Sequence, residues 1–112
     1  MASAVTRLLD HLRDDGGLQG KDIANIVSVS PATVSRWFSG KATPDLRTQV
    51  VIADLRYVVD RLGDYYTPEE TRLWLHARHP MLNGDRAIDL INAGNVEPVL
   101  AIIEGLDNGA YT

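Results

Sequence analysis

Every strong periodic signal along this chain is helical. Val5, Leu8, Leu9 and Leu12 fall at i, i+3, i+4, i+7 and predict a first helix from about Ser3 to Asp14, closed by Gly16-Gly17. Ile23, Ala24 and Val27 place apolar groups on one face of a short second helix. Ser28-Val29-Ser30 then makes a tight connection. Val34 and Trp37 face inward from a third helix that Gly40 ends. Thr43-Pro44-Asp45 opens a longer fourth helix running to about Leu62, with Gly63 as its stop. That helix is apolar on two sides. Val51, Leu55, Val58 and Leu62 form one stripe, and Leu46, Val50, Ala53 and Tyr57 form another. A helix covering one small core needs only one stripe. The pattern predicts either a single thick core or one face for the first half and one for the second half or a second copy.

Beyond Gly63 the signals stay helical. Thr67-Pro68-Glu69-Glu70 opens a fifth helix with an acidic first turn. His79-Pro80-Met81-Leu82-Asn83-Gly84 reads as a loop anchored by Met81 and Leu82. Asp85 is expected to cap a sixth helix ended by Gly94, and Asn95 a seventh carrying Val96, Val99, Leu100, Ile103 and Leu106. The expected fold is all-α. An N-terminal bundle, residues 1–62, is joined by the long helix to a small C-terminal helical domain, residues 63–112.

The stretch Lys21 to Gly40, KDIANIVSVSPATVSRWFSG, adds chemistry to this pattern. Ala24 is small where two helices cross closely, and Val29 plugs the gap between them. Ser30 is the N-cap, and Pro31 sits where its missing N–H costs nothing. Ala32, Thr33, Ser35, Arg36 and Ser39 remain on the outside. Short polar groups and one fork donor are the kit that reads a major groove. The stretch is a helix-turn-helix. Thr33 and Arg36 are the expected base readers, and Ser35, Ser39 and Lys41 the expected phosphate contacts. The motif resembles the Xre-type, lambda-repressor-like helix-turn-helix, departing from it where Ser28 stands in place of the usual turn Gly. Ser pays for positive φ there.

Charge sharpens the division of labour. The 112 residues carry a net charge of −4. Through Leu62 the balance is +1, and from Gly63 onward it is −5. A near-neutral half facing DNA and an acidic half with another job fit this asymmetry. The chain has no cysteine, which is compatible with a reducing cytoplasm. No apolar run is long enough to span a membrane. A cytoplasmic protein without a membrane partner is expected.

Other chemistry is thin. His76 and His79 lie at i, i+3 with Asp85 nearby, but no third ligand of convincing spacing completes a metal set. No nucleophilic triad and no phosphate-cradling Gly loop is present, so no catalytic, metal or cofactor site is expected and the chain does not read as an enzyme. Gly16, Gly17 and Gly20 read as helix punctuation, and Trp74 as core.

The second half carries Trp74-Leu75, Pro80, Leu82, Gly84, Ile88, Leu90-Ile91, Gly94, Val99, Ile103 and a final Gly109-Ala110-Tyr111. With the motif upstream, this order resembles the Xre/MbcA/ParS-type antitoxins over nearly the whole chain. Arg78-His79 and Ala87 depart from the Pro-Asn and Pro common in that family. The resemblance implies a partner, a RES-domain toxin that acts on NAD, so NAD would belong to the partner. It also implies a homodimer, binding to operator DNA in the chain's own promoter, and a C-terminal end that blocks the toxin's active-site cleft. Gly109, Ala110, Tyr111 and Thr112 are the expected plug. Helix–helix association through faces such as those of Val58 or Val96 is the expected route to the homodimer, with the sealing helix left open. The alternative is a stand-alone dimeric transcriptional repressor whose second half only dimerises.

Overall fold

The computed structural model describes residues 3–109. Seven α-helices make up the described fold: α1 Ala4–Gly16, α2 Gly20–Val27, α3 Pro31–Phe38, α4 Leu46–Leu62, α5 Pro68–His76, α6 Ala87–Asn92 and α7 Glu97–Asp107. A short 3-10 turn, Pro80–Leu82, precedes α6, and a single antiparallel bridge pairs Arg78 with Arg86. The all-α expectation holds.

The N-caps are mostly where the sequence puts them. Ser3, Ser30, Asp45 and Thr67 each accept a hydrogen bond from the backbone N–H three residues on. Two expected caps fail for one physical reason: their backbones are already engaged. Asp85 lies in the loop, its carbonyl accepting from the His79 N–H, and α6 starts behind Arg86. The Asn95 N–H closes α6 onto the Leu90 carbonyl, with Gly94 in the left-handed region at φ +79° and its N–H on Ile91. That is a Schellman ending, so α7 starts behind Val96, with no side-chain cap.

One continuous cluster of buried side chains runs through both halves, from Leu9, Leu12 and Ile23 to Leu75, Ile91, Val99 and Ile103. α4 lends one broad face to that cluster and leaves its second apolar stripe out of it. Its Val51, Ile52, Leu55, Val58, Val59 and Leu62 are all buried, against α1 on one side and α6 and α7 on another. Val58 is fully buried and unavailable to a second chain. The other stripe, Leu46, Val50, Ala53 and Tyr57, is exposed.

α5 seals the first half to the second. Gly17 ends α1 at φ +64°, and a Cβ there would lie 2.6 Å from the Pro68 carbonyl oxygen at the start of α5. That glycine does more than punctuate. From the same helix, Arg72 reaches Asp22 on α2 with two parallel hydrogen bonds, Nε to Oδ2 at 3.2 Å and an Nη to Oδ1 at 3.0 Å. Asp22 also accepts from the Gln19 N–H at 2.9 Å. Burial pushes the Asp22 carboxyl up, but the Arg72 guanidinium and the Gln19 amide outweigh it and hold it below its ordinary value. A depressed carboxylate contributes stability above its unfolded pKa and loses it as pH falls through the folded one. Arg72→Ala should therefore cost about 1–3 kcal/mol at neutral pH, toward the lower end because the guanidinium is partly exposed. The difference from the parent should shrink as pH drops below about 3.9. Urea midpoints at the two pH values check both size and sign.

Thr71 on α5 is fully buried, and its hydroxyl has no hydrogen-bond partner among the described residues. An unpaired buried hydroxyl is a cost that an isosteric methyl removes. Thr71→Val should raise unfolding stability by about 1 kcal/mol, read as a higher urea midpoint with an unchanged slope.

Candidate functional site

The helix-turn-helix is built on the turn at Ser28. Ser28 takes φ +63° and ψ +46°, the left-handed conformation a Gly would adopt without strain. The Ser28 and Val29 N–H groups both bond the Ala24 carbonyl. The departure from Gly thus leaves the turn's shape intact and places its cost in the backbone of one residue. Ala24, Val34 and Trp37 are buried, and Val29 is half-buried against the core, so α3 is held by its inner face.

The outer face of α3 carries Ala32, Ser35 and Arg36, all exposed. Past its end, Ser39, Gly40 and Lys41 are exposed as well. The Arg36 carbonyl accepts from the Lys41 N–H at 2.9 Å, the Ala42 N–H at 3.3 Å and the Ser39 hydroxyl at 3.1 Å. With Gly40 at φ +77°, this stops the helix and fixes Lys41 beside its end. Thr33 is half-buried, and its hydroxyl lies 2.9 Å from that of the N-cap Ser30. Ser35, Arg36 and Lys41 therefore stand open, whereas Thr33 and Ser39 already share their hydroxyls within the chain.

Charge pairing separates the cations by job. Arg13, Arg56, Arg61, Arg72 and Arg86 each meet a carboxylate. Arg47 and Arg78 each donate to a backbone carbonyl. Among the described residues no acid pairs with Lys21, Arg36 or Lys41, and all three sit on the helix-turn-helix. Lys21 shares a groove with Pro31 and Ser35. The sequence alone did not single out Lys21, because nothing in spacing tells an unpaired cation from a paired one.

At the other end of the chain, Asp107 closes α7. It is held by the Arg61 guanidinium of α4 and the Tyr65 hydroxyl of the α4–α5 connection. These two donors, the Tyr65 hydroxyl first, keep the Asp107 carboxyl below its ordinary value. The exit from α7 is thus tied at its last residue. Gly109 follows, exposed and at φ +71°. The expected plug residues Ala110, Tyr111 and Thr112 lie outside the described residues.

The histidines serve structure. His76 Nδ1 lies 2.9 Å from the Arg72 carbonyl, and His79 Nε2 lies 2.8 Å from that of Trp74. The His79 ring packs on Trp74 with centroids 4.4 Å apart, leaving Trp74 half-buried at the edge of the core while its neighbour Leu73 is exposed. His11 bridges α1 and α4, with Asp15 on Nδ1 at 2.9 Å and Asp60 on Nε2. Arg56 stands 3.8 Å from that same Asp60. These groups put donor atoms close together, and each imidazole nitrogen faces its own carboxylate, so the side-chain contacts tie two helices. No helix among the described residues is long and apolar enough to cross a membrane.

The comparisons with known proteins agree with this geometry. Residues 9–55 match the helix-turn-helix family HTH_3. The "Mycobacterial cidal antitoxin MbcA" of Mycobacterium bovis is 27% identical over 99% of this chain and 95% of its own length. A "Probable mycobacterial cidal antitoxin" of Mycobacterium tuberculosis is 33% identical over 98% of this chain and 93% of its own. In fold, the chain matches a chain of the crystal structure of the M. tuberculosis MbcT-MbcA toxin-antitoxin complex, with a TM-score of 0.84 at 24% identity, covering 98% and 99% of the two chains. At 33% identity across nearly its whole length, the chain belongs to the Xre/MbcA family of antitoxins.

Proposed function

We propose that this chain neutralises a RES-type toxin that consumes NAD, by occluding the toxin's active site, and that as a homodimer it represses its own operon. The observation that carries the reading is the match to named antitoxins over both halves of the chain. The unpaired cations on the helix-turn-helix and the tied exit of α7 supply its two working ends. The chain itself holds no NAD and performs no reaction; it works by binding, in the cytoplasm.

On the DNA side, Arg36 and Thr33 read base edges, while Ser35, Ser39 and Lys41 hold phosphates. The open position of Lys21 adds a further phosphate contact. Thr33 and Ser39 bind by sharing hydroxyls already bonded to Ser30 and to the Arg36 carbonyl. Arg36→Ala should cost about 1–3 kcal/mol of operator binding and relax discrimination at one base pair. Lys41→Ala should weaken all sequences alike and reduce the salt slope by about one. Mobility shifts on the chain's own promoter, repeated over a salt series, distinguish the two. Unchanged operator binding by Arg36→Ala would remove Arg36 from the recognition set.

On the toxin side, the test is co-expression with a RES-domain toxin, scored by growth and cellular NAD. Protection with restored NAD supports the reading. Failure to protect, with operator binding intact, would leave a stand-alone repressor.

A further inference from the structure

The exposed stripe of α4 has a symmetry of its own. Leu46, Val50, Ala53 and Tyr57 are separated by four, three and four residues, so they share one helix face about 16 Å long. Leu46 is 80% exposed, Val50 60% and Tyr57 51%. The opposite face of the same helix fills the core. The spacing reads the same from either end. A two-fold axis crossing the helix between Val51 and Ile52 would set Leu46 against Tyr57 of a second copy, and Val50 against its Ala53. Alternating spacings of four and three are also the spacing of a helix–helix seam.

The flanks carry complementary charge in that register. Arg47 and Asp54 lie on the same side of the stripe, seven residues apart. Antiparallel pairing about the same axis brings Arg47 of each copy beside Asp54 of the other, twice over. Asp54 is half-buried, and no described residue pairs with its carboxylate. Arg47 uses one guanidinium nitrogen on the Asn92 carbonyl at 3.1 Å, and a guanidinium has five N–H donors to share. On the other flank, Gln49 of one copy faces Arg56 of the next, with no like charges opposed.

We propose that the Leu46-Val50-Ala53-Tyr57 face of α4 is the seam on which a second copy of this chain docks antiparallel, pinned by reciprocal Arg47–Asp54 pairs. The proposal rests on the homodimer reading above and adds its interface and register. An isologous seam of this kind is self-complementary by construction. It also explains why a helix whose inner face closes the core keeps a second apolar stripe in water.

The test is sedimentation equilibrium of the full chain at micromolar concentration, with thermal melts to verify folding. The parent should run at twice the 12.3 kDa chain mass. Val50→Glu, on an exposed position outside the core, should run as a single chain with an unchanged melt. Arg47→Asp and Asp54→Arg should each dimerise poorly alone, since each homodimer opposes like charges. Mixed, they should recover the dimer, because the mixed pair holds one Arg47–Asp54 contact in its native sense and one with the charges reversed. A parent that sediments as one chain would overturn the homodimer reading and this interface together. A Val50→Glu chain that stays dimeric would overturn the interface alone. So would a mixture no more dimeric than its components. A stripe variant that stays dimeric yet no longer copurifies with the toxin would reassign the face to the toxin.

Discussion

Trp37→Ala should unfold this protein before it tests any contact with DNA. The indole is 4% exposed at the inner end of α3. It belongs to the cluster that includes Leu9, Val34 and Leu55, and the Trp37 carbonyl accepts from Gly40 at the helix stop and from the Thr6 hydroxyl of α1. Truncating a buried aromatic to Ala costs about 3–5 kcal/mol, the lost burial plus the cavity left behind. A domain of this size has about 5–15 kcal/mol in all. The melting temperature should fall by roughly 10–25 °C, and operator binding should disappear with the fold. Arg36→Ala, one residue earlier and pointing outward, should leave the melt unchanged and lose only affinity. Parallel melts and mobility shifts on the two variants separate a residue that builds the reading head from one that reads. A Trp37→Ala chain that melts like the parent would mean that α3 is held by something other than its indole.

The contrast between neighbours shows what the sequence could carry. Periodicity placed Val34 and Trp37 inside and Ser35 and Arg36 outside, because helical spacing alone decides face. Caps were legible where a short polar side chain stands free before a helix, as at Ser30, Asp45 and Thr67. They were not legible at Asp85 and Asn95, where the backbone had been taken by a turn and by a Schellman ending. Those contacts are made by main-chain atoms that every residue has. The two stripes of α4 were visible, but which one faces water was not, since that depends on where α1, α6 and α7 come to rest. The tie of Asp22 to Arg72 spans fifty positions and has no local signature. Gly17 looked like a helix end and is also the place where α5 comes within reach of a Cβ. At the candidate site, residue types were legible and pairing was not. Among the described residues, no acid or carbonyl engages the side chains of Arg36, Lys41 and Lys21, and nothing in their spacing announces it.

Removal of the last four residues should abolish neutralisation and spare nearly everything else. A chain ending at Asn108 keeps every described helix and the described buried cluster, so its melt and its operator affinity should match the parent. It also keeps Asp107 on Arg61 and Tyr65, so α7 still ends where it did. What is lost is a segment that reaches about 13–14 Å when extended, enough to enter a small-molecule cleft. Gly109 and Ala110 offer little side chain, so backbone can approach closely, and Tyr111 offers area with a polar tip. On the proposed mechanism the helical surface still holds the toxin while the cleft stands open. The truncated chain should copurify with the toxin yet fail to protect cells, with growth arrested and cellular NAD falling as it does with toxin alone. Tyr111→Ala should sit between the two if the ring fills the cleft, and near the parent if the backbone does. Full protection by the chain ending at Asn108 would locate inhibition on the helical surface and leave the four residues without a part in it.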